Sequence, residues 1–150
     1  GQGKAMAPYS AKQIAQYFLS LAEEDCGDTI SNMKLQKLLY YAQGCYLAMK
    51  EQPLFGERIF AWDHGPVVAD VYHAYKGHGA GAIPKPERVP RLKKDVKEIL
   101  NEVYEVFGQF SAWRLRNMTH AETPWKNTQR GGIIKRDVMK KFFKEEYLEE

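Results

Sequence analysis

Cysteine is scarce in this chain. Only Cys26 and Cys45 occur among 150 residues, and they stand in no metal-ligand or redox spacing. That argues against a disulfide framework or a thiolate metal site, and for free, packed thiols in a reducing cytoplasm. Long hydrophobic runs are missing as well. No stretch approaches the ~18 apolar residues that a membrane-spanning helix needs. No positively charged start followed by an apolar segment marks a secretory signal. The excess of charge is small, a formal +3, short of the strong clustered excess that points to nucleic acid. No G-x-S-x-G nucleophile turn appears. The glycines of Gly77-His-Gly-Ala-Gly81 neither follow a strand nor open a helix, so the phosphate-loop and dinucleotide fingerprints fail. His64, His73, His78 and His120 share no tight spacing, so no metal and no cofactor is expected.

What is present is ordinary for a globular domain, with 44% hydrophobic and 27% charged residues. Aromatics reach 13% and should carry much of a core or an interface. Gly1-Gln-Gly-Lys-Ala5 before Met6 reads as an expression-tag residue, which leaves 6–150 as one domain.

Helical spacing dominates. Ser10 and Gln13 form a capping box ahead of Ile14, Tyr17, Phe18, Leu21 and Ala22, a helix predicted to run to about 26–28. Ser31 or Asn32 caps the next helix. Its predicted apolar stripe is Leu35, Leu38, Leu39, Ala42, Cys45, Tyr46 and Met49, with Lys34, Lys37 and Gln43 pointing elsewhere. Gly44 in mid-helix costs roughly 1 kcal/mol against alanine, which implies a close neighbour there. Residues 57–62 alternate as a short strand would. Helices are then predicted over 67–75, over 91–107, over 112–119 with Ser111 as its cap, and over 134–147 with Ile134, Val138 and Phe142 on one face and Met139 and Phe143 beside it; loops are predicted at 77–86 and 119–132. The expected architecture is mainly α: about six helices with at most a two- or three-strand element.

The stretch Ala61-Trp-Asp-His-Gly-Pro-Val67 is the densest candidate for function. Read structurally, Gly65 turns the chain and Pro66 opens a helix, with Asp63 or His64 near its free N–H groups. Read chemically, Asp63, His64 and His120 could serve a small hydrolase or an anion-binding enzyme. That requires the two histidines to converge. A second aromatic stretch, from Ser111 to Lys126, holds Trp113, His120, Trp125 and Lys126. Either these residues pack, or they line a surface for a protein partner, where Trp, Tyr and Arg concentrate binding energy. Two basic runs complete the candidates. One is Lys85, Arg88, Arg91, Lys93, Lys94 and Lys97, and the other is Arg130, Lys135, Arg136, Lys140, Lys141 and Lys144. Solvated helix faces account for such runs, and nucleic-acid binding is the alternative.

Four blocks occur in order: Ile30-Ser-Asn-Met-Lys-Leu-Gln-Lys-Leu-Leu-Tyr-Tyr-Ala-Gln-Gly44; Pro53-Leu-Phe55; Ala61-Trp62 with His64-Gly-Pro-Val67 and Val71-Tyr72; and Leu115 with Thr119-His120 and Pro124-Trp125. Together they resemble the SocA-like antitoxin family, also called the Panacea domain, which includes phage-associated proteins of the GepA type. The resemblance implies a toxin–antitoxin system and a non-enzymatic protein that neutralises a nearby-encoded toxin by direct binding. In one branch it implies an adaptor that delivers the toxin to the ClpXP protease. Trp62, Asp63, His64, Trp113, His120, Trp125 and Lys126 are the expected partner contacts, and Gly65 and Pro66 the structural turn.

Overall fold

The computed structural model describes residues 7–23 and 27–148. The predicted packing of Cys26 lies outside them. Among the described residues the chain forms α1 (Ala11–Leu21), α2 (Asn32–Lys50), β1 (Phe60–Trp62), β2 (Gly65–Val67) and α3 (Ala69–Tyr75), then a 3-10 turn at Lys76–His78. There follow α4 (Lys94–Phe107), α5 (Ala112–His120), α6 (Thr123–Lys126) and α7 (Arg136–Glu146). The mainly helical reading holds. The extra helix, α6, lies inside the predicted loop 119–132, where Pro124 sits in its first turn without losing a useful N–H.

α2 is the axis, packed against α1, α3, α4, α5, α7 and β2. Encirclement overturns the predicted single stripe. Lys34, Gln36, Lys37 and Gln43 are buried, whereas Met49 is exposed and Cys45 and Tyr46 are half-buried. A helix surrounded on all sides has few solvent-facing positions, so its polar side chains must find partners inside. Most of them satisfy loop backbone. The Gln43 amide accepts from the Leu54 and Phe55 N–H groups and donates to the Phe55 carbonyl. Gln36 accepts from Val68 N–H at 3.0 Å, and Asn32 donates to the Tyr72 carbonyl at 3.0 Å. Lys34 Nζ donates to the Gly108 carbonyl at the end of α4, at 2.6 Å. Burial lowers its proton affinity, which Asp28 partly restores.

The close neighbour expected at Gly44 is Phe143 of α7, whose ring lies 2.2 Å from where a Cβ would stand. Tyr40 and Tyr41 pack edge-on against that ring, and Tyr41 stacks on Phe107 at 4.0 Å. Glu122 closes the cluster. Its buried carboxylate accepts from Tyr40, Tyr41 and Tyr147, and burial raises its proton affinity.

Two boundaries and one helix face differ from the sequence reading. α1 stops at Leu21, followed by extended Ala22. α4 begins at Lys94, although Leu92 just before it is buried. α7 turns Met139 and Phe143 inward and leaves Val138 exposed and Phe142 half-buried. Ser10, Ser31 and Ser111 each cap their helix as expected, accepting from the third residue on.

Candidate functional site

The dense stretch at 61–67 is a β-hairpin. β1 and β2 pair antiparallel with Phe60 opposite Val67, Ala61 opposite Pro66 and Trp62 opposite Gly65. Asp63 and His64 form the two-residue tip, and both are exposed. Gly65, at φ +117°, takes a conformation that disfavours a side chain. Pro66 therefore does not open a helix. It sits in β2, and α3 begins at Ala69 after Val68, which has no side-chain cap. The physical reason lies across the fold. Ala61 spends its own N–H and C=O on Gly132 and Gly131, on the side away from β2. Pro66 faces Ala61 where no N–H is called for, so proline is tolerated at this edge. The sequence pattern of 57–67 does not reveal that distant backbone partner.

The hairpin is clamped by the second aromatic stretch. Trp125 of α6 donates from Nε1 to the Trp62 carbonyl at 2.8 Å. His120 stacks flat on Trp125, 3.8 Å between ring centres, and the Arg130 guanidinium lies 3.5 Å from the Trp125 ring centre. Burial, then the charge of Arg116, lowers the proton affinity of His120, with smaller contributions from Lys37 and Arg130; the Asp63 backbone opposes them. His120 Nε2 is buried without a partner among the described residues. Trp125→Phe keeps an aromatic surface for stacking but loses the donor. It should cost about 1 kcal/mol in denaturant unfolding; no measurable change would show that the clamp is dispensable.

Three of the seven predicted contact residues meet at a neighbouring cavity of about 480 Å³. Trp62, His64 and Trp113 line it, with Met33, Lys37 and Tyr72 among the remaining walls. Trp113 is 61% exposed, so it is not a core residue. The Arg116 guanidinium lies over its ring at 4.6 Å, and Arg116 Nε is buried without a partner among the described residues. Tyr72 meets Trp62 edge-on at 5.2 Å. His120, Trp125 and Lys126 do not line this cavity. His64 and His120 thus do not line this cavity together.

Sequence reasoning overlooked Lys37. Its side chain is buried, and its Nζ donates to the Pro66 carbonyl at 3.3 Å. A Cβ on Gly65 would come within 2.5 Å of Lys37 Cε, so the glycine leaves room for the lysine. Burial, and then the charge of Arg116, lowers its pKa to about 7. The signal available was a lysine in a helix flanked by apolar residues on both sides of its turn.

The basic runs part company. In the second, Lys140 and Lys144 pair with Glu51, and Arg136 donates to the Gly56 carbonyl at 2.8 Å. The first is exposed along the loop before α4 and its first turn, with Lys94 and Lys97 on the helix.

The family model described as "Antitoxin SocA-like, Panacea domain" matches residues 35–126, more than half of the chain. The chain belongs to the SocA-like antitoxin family. Within the Panacea-domain match lie α2 from Leu35, the hairpin, and the α5–α6 clamp. A curated relative, "Antitoxin SocA" from Caulobacter vibrioides (strain NA1000 / CB15N), is 35% identical over 109 residues, covering 64% of this chain. The match spans 58% of that relative's own length. No solved structure matches the chain. No described helix is long and apolar enough to cross a membrane.

Proposed function

We propose that this chain is an antitoxin that neutralises a protein toxin, encoded nearby in the cytoplasm of the same cell, by binding it directly. Membership of the SocA-like family carries the reading. The face offered for contact is the cavity rim of Trp62, His64 and Trp113, with Asp63 beside it on the hairpin tip. Trp125 and His120 act behind it by holding the Trp62 backbone, and exposed Lys126 stands at the edge of this clamp. Large aromatics combined with an arginine make an economical contact surface, because they bury much area for little lost rotamer freedom.

Co-expression with the adjacent reading frame tests this. The expected result is rescued growth and a co-purifying complex. Unrelieved toxicity, or two proteins that elute separately, would sink the reading. Toxin lifetime separates two routes. Direct neutralisation leaves the toxin at full level with ClpXP present, whereas an adaptor shortens its lifetime only in cells that have the protease. Within the complex, Trp113→Ala should weaken binding by about 2 kcal/mol, as truncation of an interface anchor does. Calorimetry on folded variants would read this, and unchanged affinity would remove Trp113 from the contact surface.

A further inference from the structure

The cavity carries an electrostatic imbalance. Among the described residues its lining includes Lys37, His64 and Lys76 but neither aspartate nor glutamate. Lys37 has three N–H donors, yet the described structure gives Nζ one long bond to a neutral carbonyl. No ion pair of Lys37 occurs among the described residues. Beside the cavity, Arg116 lies over Trp113 and holds a buried Nε without a partner among the described residues. A buried cation without a counter-charge is costly. This one is accommodated by Gly65, whose missing side chain leaves Lys37 its space.

We propose that the cavity is a carboxylate-binding site, in which Lys37, lining it together with Trp62 and Trp113, receives an acidic group of the partner protein. This rests on the reading that the chain binds a protein, and it names the chemistry of the contact. Charge complementarity selects the occupant. An incoming carboxylate supplies the anion that the cation set lacks, while the rings around it exclude water and strengthen the pair. The carboxylate can come from an Asp or Glu side chain or from the partner's C-terminus.

The test uses the purified complex with the adjacent reading frame's product and the variant Lys37→Met, which keeps the length of the side chain and removes its charge. Partner affinity should fall at least ~30-fold, as it does when one member of a buried charged pair is removed. The thermal midpoint of the free protein should stay level or rise, because an uncompensated buried cation has gone. Loss of affinity with gain of stability is a combination that a purely structural lysine would not give. Neutral substitution of each partner Asp and Glu, and separately amidation of the partner's C-terminus, locate the group. The responsible one should show no further loss in the Lys37→Met background.

Should Lys37→Met fail to fold, the wild-type protein still decides the matter through NMR of the Lys37 ammonium; the charged or titratable groups around it are Arg116 and His120, with His64 and Lys76 on the same cavity. A carboxylate moves its titration to higher pH on complex formation, and an apolar occupant leaves it or lowers it, which overturns the proposal. Unchanged affinity of a folded Lys37→Met overturns the carboxylate site and leaves the toxin-binding reading standing. Absence of any wild-type complex overturns both. Displacement of the partner from the cavity by a single-stranded oligonucleotide, with no effect of the carboxylate substitutions, would assign the site to nucleic acid and overturn it too.

Discussion

Phe143→Ala is expected to lower the unfolding free energy by about 3–5 kcal/mol, the usual cost of deleting a buried aromatic ring. Phe143 is 0% exposed and joins α7 to the Tyr40 and Tyr41 rings of α2, with Tyr147 beside it. Truncation leaves a hole that neighbouring rings cannot readily fill, since Tyr40, Tyr41 and Tyr147 are all held by Glu122. Gly44→Ala makes the complementary test. On an open helix surface it would gain about 1 kcal/mol. Here its Cβ would meet the Phe143 ring at 2.2 Å, and overpacking of this kind costs about 1–3 kcal/mol. In the double variant the missing ring makes room for the methyl group, so the combined loss should be smaller than the sum. Urea titrations of the four proteins measure it. Strict additivity would mean that the ring and the glycine do not constrain each other.

The second large effect is in the pH dependence of stability, and it concerns Lys37. Burial and Arg116 bring its folded-state pKa from 10.5 to about 7. Between those values the folded protein has released the proton that the unfolded chain retains. The unfolded state thus binds more protons, so stability rises with pH, by up to about 1.4 kcal/mol per unit. The penalty is fully present below pH 7 and is relieved progressively above it. Wild type should therefore gain on Lys37→Met from pH 7 to 9. At higher pH the buried phenols of Tyr40, Tyr41 and Tyr147 act in the opposite sense. Their proton affinities are raised in the fold, so the unfolded chain ionises first. Chemical denaturation of both proteins at several pH values gives the difference curve. A flat curve between pH 7 and 9 would show that Lys37 is charged in the folded state and already compensated.

Several elements were legible in the residues. Three serine caps, the Gly44 contact and the amphipathic α4 follow from local rules that act within a few residues. The α2 polar residues were misread because amphipathic logic assumes one solvent face, and α2 has five other helices and a strand around it. Pro66 was misread for a related reason. Gly-Pro after a polar pair resembles a helix entrance, but backbone from Gly131 and Gly132 completes the other side of β1 and holds the hairpin extended. Trp62 and Trp113 were visible as a type rich in contact energy and His64 as a candidate for chemistry, yet their sharing of one cavity was not.

By itself, then, the sequence determined the helical class, the caps and the four blocks that resemble the SocA-like family, because these depend on residue identity and short spacings. Tertiary structure alone decided that Asp63 and His64 form a hairpin tip and that His120 lies under Trp125. It also decided that Lys37 is buried and lines an aromatic cavity. Burial and charge balance are properties of the surroundings, and those surroundings come from segments far apart in the chain.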